Sequence, residues 1–511
     1  MFDKNQGNLN TKLILCLTAI FAFFVYITFF KVNLLMFDDA IYACIVKPYA
    51  SHLVLNNFIT DTATEHYQFL AVFLSKFSGT ILPEILGYHP QDFVMHFAHY
   101  IKAVFYIISI FAMTIFTFTD KNKNNILFPI VFLFMFFITI INTMTFTPAT
   151  FSLYSAFFRF QIPLIYLSLF LYYFIKDYLD NRINHKNTLT ALFILNILDG
   201  NEITIVLIQL FLLLLLIMNI KKHGLNSILN FLISNKLLCA LYITFPFVKL
   251  LLTAFTNRYN GDLLSLFNFN IIREFSIEYI KFIFCNHLIF FAVFLIVFAV
   301  YTVKIRNTKI IQIISSLFIS LLIFLYSLIL YGKVNLIETE EPVFLLSHWH
   351  LQANADIILT LLIIFLLIRL CEKYAEFKKI TAILLFSVSF YIFILMNYFD
   401  NGKYTFTKKG LYYNERKVFY KFEKSFLELI KTHNGSVYLR YEPTDTIDIF
   451  NLKYIMFYYY IAGIYKLNPD NFHIQFVTND IAEQKLKETG ITFSEQELNN
   501  TRFKDLYDIL K

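Results

Sequence analysis

The chain reads as a mainly α, polytopic membrane protein with a small α/β domain at its C-terminal end. Three observations predict this. Of its 511 residues, 58% are hydrophobic and only 15% are charged, against about 25% charged in a soluble domain. Apolar stretches near the ~20 residues that cross a bilayer recur up to residue 397. Beyond that point Lys/Glu-rich segments appear, such as 415–431, with short strand-like runs at 435–441 and 472–477.

The first apolar stretch, 12–30, ends at Lys31 with no small-residue cleavage site before it, and reads as a retained anchor. Further spans are predicted at 96–119, 126–142, 152–175, 188–198, 202–220, 232–254, 283–303, 310–331, 351–370 and 380–397, eleven in all. The fifth is too short to cross alone. Asp199-Gly200-Asn201-Glu202 interrupts the apolar run 188–220, so this run is either one helix with an acid in its middle or two helices meeting at a polar break. Its length and Gly200 favour the break.

The lysines and arginines orient these spans. Lys121 and Lys123, then Lys176, Arg182 and Lys186, then Lys221, Lys222 and Lys236 occupy alternate loops. Lys304, Arg306 and Lys309 follow, then Arg369, Lys373, Lys378 and Lys379. All fall on one side if the N-terminus lies there too, and the positive-inside rule makes that side cytoplasmic. The net charge of +7 is thus a topology signal, and no nucleic-acid partner is expected. The bilayer is. The many Phe, Tyr, Asn, Lys and Ile residues point to an AT-rich bacterial genome and so to a bacterial inner membrane.

This orientation divides the chain into a transmembrane unit, 1–397, and an extracytoplasmic α/β domain, 398–511. The first outer loop, 31–95, is long and aromatic, which suits short interfacial helices. Within it Glu84 follows Pro83, as in the first turn of a helix. Cys16, Cys44, Cys239, Cys285 and Cys371 are scattered, with no metal spacing.

The chemistry-bearing residues cluster on the outer side. Phe37-Asp38-Asp39-Ala40 follows directly on the first span. Near hydrocarbon a carboxylate pair costs free energy, which points to binding a cation, holding a hydroxyl or taking a proton. A helix N-cap is the plainer reading. These carboxylates would also suit Mg²⁺ or Mn²⁺, although no cofactor is required. In the same loop Glu65 and His66 follow Thr62 at a spacing that resembles a capping box, and His66 is a secondary candidate for proton transfer or metal binding. Arg159 stands in an otherwise apolar segment near the outer face. It serves there either as a clamp for a lipid phosphate or as a snorkelling side chain, or it pairs with Glu202. Arg258 and Arg273 are alternative phosphate partners. His348-Trp349-His350 fits an interfacial aromatic belt.

An apolar anchor, an outward acidic pair, a long first outer loop, many spans and a terminal extracytoplasmic domain together resemble the GT-C class of integral-membrane glycosyltransferases. The nearest likeness is to bacterial membrane proteins that glucosylate O-antigen. The resemblance rests on Phe37-Asp38-Asp39, on Gly200-Asn201-Glu202, and on Tyr412-Tyr413-Asn414-Glu415-Arg416 ahead of Val437-Tyr438-Leu439. It implies inverting transfer of a sugar from a polyprenyl-phosphate donor to an envelope glycan or lipid, with Asp38 or Asp39 as the catalytic carboxylate and Asn201 and Glu202 near the substrate. The chain departs from the class in lacking a WWD-like motif and in carrying Ala40-Ile41-Tyr42 after the acids. Two alternatives stay open: an O-antigen polymerase or ligase, and a transporter or flippase of lipid-linked sugars.

Overall fold

The computed structural model describes residues 4–29, 81–88, 99–118, 126–146, 154–180, 184–199, 202–223, 287–335, 349–398, 436–440 and 473–477. Between and after these it describes only isolated positions at 74, 77, 93, 97, 273, 276, 277, 279–281, 284, 428, 484 and 488. The described part is almost entirely helical. In chain order the helices are α1 (Lys4–Phe29), α2 (Leu82–Leu86), α3 (His99–Thr117), α4 (Leu127–Phe146), α5 (Tyr154–Asp180) and α6 (Lys186–Asp199). They continue with α7 (Glu202–His223), α8 (Leu288–Lys304), α9 (Thr308–Asn335), α10 (Trp349–Lys373) and α11 (Ala375–Tyr398).

Among the described residues four segments are long and apolar enough to cross a membrane: His99–Thr117, Gln161–Asp180, Thr308–Tyr326 and Ala375–Met396. Helices overlie the other predicted spans as well, except 232–254, which falls outside the described residues. The apolar run 188–220 is two helices. The first, α6, has 14 residues. At about 1.5 Å per residue it is roughly 21 Å long, short of the ~30 Å hydrocarbon thickness. The hydroxyl of Thr204 on α7 donates to Asn196 Oδ1 on α6 across 2.9 Å, joining the two helices with both side chains buried.

The core centres on α10. Ile357, Leu359, Leu361, Leu362, Ile364 and Leu366 are all buried, so this helix is enclosed by its neighbours on every side. By contrast, α11 leaves Ile380, Ile383, Leu384, Phe386, Phe390 and Ile394 exposed along one face. So does α1, at Leu13, Leu17, Ile20 and Phe24. In water such patches would be costly, whereas in hydrocarbon they are the expected outer surface.

Side-chain contacts fix the helix directions. Tyr26 near the end of α1 meets Tyr106 in the first half of α3 at 5.0 Å between ring centroids. These helices are therefore antiparallel. His287, just before α8, touches Asp356 of α10, while Lys373 and Tyr374 at the close of α10 reach the carbonyl of Lys304 at the close of α8. Hence α8 and α10 run parallel, with α9 returning between them. One end of the bundle, where α1 begins, gathers Lys304, Arg306, Lys309, Arg369, Lys373, Lys378 and Lys379. At the other end α1 finishes and α3, α5, α7, α8 and α10 begin.

Outside the bundle, α2 closes with Gly87 in the left-handed region (φ 71°). The Gly87 and Tyr88 amides donate to the carbonyls of Glu84 and Pro83, the double bond pattern of a glycine C-cap. Glu84 lies in the first turn of this helix, as its place after Pro83 suggests. In the tail, β1 (Ser436–Arg440) and β2 (His473–Val477) pair in parallel, with Ser436 opposite His473 and Arg440 opposite Val477.

Candidate functional site

Of the residues nominated from sequence, Asp38, Asp39, Glu65, His66, Asn201 and Arg258 lie outside the described residues. Arg159 and Glu202 lie on described helices. The structure places Arg159 in the second turn of α5 and Glu202 at the first position of α7. Both positions belong to the end of the bundle at which α1 finishes.

That end also holds polar groups that sequence reasoning passed over. Lys102, in the first turn of α3, is 1% exposed. Its ammonium sits 5.1 Å from the ring centroid of Phe157 on α5. A desolvated cation over an aromatic face gains about 2 kcal/mol, a fraction of what burying the charge costs. One turn either side of Lys102 on α3 are His99 and Tyr106, both buried. Tyr106 donates to the carbonyl of Phe136 on α4 across 3.0 Å, and its ring lies 6.5 Å from Phe157. Gln161, one turn beyond Phe157, is 2% exposed, and its Oε1 has no hydrogen-bond partner among the described residues. Thus α1, α3 and α5 converge on a buried polar patch at the end of the bundle where α1 finishes.

A second buried group lies between α8 and α10. His287 occupies the N-cap position of α8 without a capping bond from its side chain. Its Nδ1 instead meets Asp356 Oδ1 at 2.6 Å, and both side chains are 0% exposed. The segment leading into α8 packs on α9: Tyr279 donates to the carbonyl of Leu322 across 2.9 Å, and burial pushes its hydroxyl up to about 12, so it remains a donor at neutral pH.

Sequence offered a signal for each of these. Lys102 and Asp356 are charged residues within apolar stretches read as spans, a placement that raises a functional hypothesis. The pairing carried no such signal, because His287 is 69 residues from Asp356. Among the described residues no three His, Cys, Asp or Glu side chains gather to hold a metal ion. The carboxylates nominated for Mg²⁺ or Mn²⁺, Asp38 and Asp39, lie outside them.

At the opposite end, polar groups finish helices. Asp177 accepts from the backbone amide of His185 at 2.9 Å and pairs with its Nδ1 at 2.7 Å, which closes the turn between α5 and α6. Lys309 donates to the carbonyls of Leu179 and Tyr178 at the close of α5. Cations suit the negative end of a helix.

Comparison with known proteins finds no matching family model, no matching curated protein and no matching solved structure. What stands is a helical bundle with membrane-length apolar helices and a concentration of buried polar groups at one of its ends.

Proposed function

We propose that the chain is a GT-C-like membrane glycosyltransferase of the bacterial inner membrane. It moves a sugar from a polyprenyl-phosphate donor to an envelope glycan or lipid on the outer face. The observation that carries this reading is the buried ammonium of Lys102, at the end of the bundle where α1 finishes; in sequence, Asp38 and Asp39 follow α1. A lipid-phosphate donor needs a cation at membrane depth for its phosphate and a carboxylate nearby for the acceptor. In this scheme Asp38 or Asp39 takes the proton of the acceptor hydroxyl as its oxygen attacks the anomeric carbon. The bond from that carbon to the phosphate oxygen breaks with inversion. Polyprenyl phosphate leaves as an anion, held by Lys102 and by Arg159 two residues from Phe157. Glu202, opening α7, and Asn201 before it hold the sugar hydroxyls.

The finer architecture belongs to the same proposal. Eleven spans put the basic end in the cytoplasm by the positive-inside rule. They put the polar end and the tail outside. Residues 398–511 form an α/β domain, because the parallel pairing of β1 with β2 needs a crossover and the connection 441–472 has the length of a helical one.

The test is sugar transfer by full-length protein in lipid, with Asp38→Asn and Asp39→Asn made separately. Loss in at least one supports the reading, and full activity in both removes it. The length of the product separates the transferase, which adds one sugar, from an O-antigen polymerase or ligase, which adds a whole repeat. A transporter or flippase of lipid-linked sugars is favoured by one observation, the buried His287–Asp356 pair within the bundle, since such acids often couple transport to ions. Accumulation of labelled substrate in sealed vesicles would support that reading instead.

A further inference from the structure

We propose that two basic turns, at the end of the bundle where α1 begins, form one binding surface for the phosphate headgroup of an anionic phospholipid. This does not rest on the sugar-transfer reading.

The passage from α8 to α9 carries Lys304, Arg306 and Lys309, and the passage from α10 to α11 carries Arg369, Lys373, Lys378 and Lys379. Within 304–309 and 369–379 these cations meet only two acids, Glu372 and Glu376. Side-chain contacts make the two passages a single surface. Lys373 Nζ and the Tyr374 hydroxyl both donate to the carbonyl of Lys304, across 3.4 and 3.1 Å. The α8–α9 turn is itself held in shape, because Asn307 Oδ1 accepts from the amides of Lys309 and Ile310. Lys304, Arg306, Lys373 and Lys379 are exposed on this surface. Arg369 adds a separate observation. Its Nη1 donates to Glu372 across 3.2 Å, whereas its Nε is buried and has no hydrogen-bond partner among the described residues. The guanidinium is left short of an acceptor, which a phosphate oxygen is suited to supply.

The positive-inside rule accounts for the sign of these charges but not for their joining across two turns. The adjoining apolar surface selects the ligand. Ile289, Ile296 and Val303 recur every seven residues down α8, are 76%, 64% and 65% exposed, and end beside Lys304. Ile380, Ile383 and Leu384 form a second exposed face on α11 that starts beside Lys379. A phospholipid brings a phosphate and hydrocarbon chains together and can cover both kinds of surface at once. A soluble acidic partner would leave the apolar faces bare. Clustered lysines and arginines next to membrane helices favour anionic headgroups by about fivefold for each cation at the surface.

The experiment reads lipid contact by tryptophan quenching, in full-length protein reconstituted with brominated lipids. With the single native tryptophan removed by Trp349→Phe, Val303→Trp places a reporter beside Lys304, and Ile289→Trp places one at the far end of the same helix. Brominated phosphatidylglycerol should half-quench Val303→Trp at a mole fraction at least about fivefold lower than brominated phosphatidylcholine. At Ile289→Trp the two lipids should quench alike. Adding Lys304→Gln, Lys378→Gln and Lys379→Gln should remove the preference at position 303, with quenching of both reporters by phosphatidylcholine unchanged as the sign of an intact fold. Equal quenching by the two lipids at position 303 needs no charge variant to interpret. It would leave the cations to a soluble acidic partner and overturn the proposal. So would an equal preference at position 289, or a preference that survives the three substitutions. Inorganic phosphate should weaken the preference no more than sodium chloride of the same ionic strength. Abolition by phosphate alone would make a free phosphate ion the ligand, which also overturns the assignment to a lipid.

Discussion

The two ends of the bundle handle polar groups in opposite ways. Where α1 begins, Asp177, His185 and Lys309 finish helix ends, and Arg369 pairs with Glu372 one turn along its own helix at 3.2 Å. These contacts use groups that helix termini leave open or pair neighbours along one helix. Where α1 finishes, Lys102, Gln161, His287 and Asp356 are buried inside the bundle. Buried charged and polar groups at membrane depth are where the proposed site lies. On the proposed function, one end serves construction and the other chemistry.

The sharpest way to break this contrast is the same substitution at both ends. Asp38→Asn or Asp39→Asn should lower sugar transfer by about 10²–10⁴-fold, the usual contribution of a positioned base. Asp177→Asn should leave transfer within about twofold. Equal losses at both ends would erase the distinction. Next in size is Lys102→Met. Removing one charge-assisted hydrogen bond to phosphate, worth about 1.5–3 kcal/mol, should raise the KM for the lipid donor by roughly 10–150-fold, while kcat falls less. Lys102→Arg should retain much of the affinity. An unchanged KM in Lys102→Met would leave that lysine a packing residue.

Smaller effects are expected at the end where α1 begins, and on stability alone. Asp177→Ala leaves the His185 amide and imidazole without their acceptor and should cost about 1–3 kcal/mol in detergent unfolding. Lys309→Met withdraws a cation from the close of α5 and should cost about 0.3–1 kcal/mol. Neither should change transfer.

Much of the scaffold was legible in the sequence because apolar length is a local property. The helices fall on the predicted stretches, and the polar run at 199–202 separates α6 from α7 as Gly200 and the excess length suggest. The strands β1 and β2 lie in the two runs read as strands, since alternation and turn residues are local as well. The buried groups were less legible. Pairing His287 with Asp356 depends on α8 and α10 running parallel around α9, a tertiary fact that no window of sequence contains. The cation–π contact of Lys102 depends on Phe157 arriving from α5. A lysine or aspartate inside an apolar run is nonetheless visible in sequence, and weighting such residues as heavily as the acid pair at 38–39 would have marked both positions.

The account depends most directly on which side of the membrane the polar end faces. With the five native cysteines replaced, single cysteines at Lys281, exposed just ahead of α8, and at Lys379, exposed at the start of α11, mark the two ends. A membrane-impermeant maleimide added to intact cells should label position 281, and label position 379 only after permeabilisation. Labelling in the reverse order would put the buried polar groups on the cytoplasmic side, away from any outward-facing lipid-linked sugar, and would contradict the proposed function.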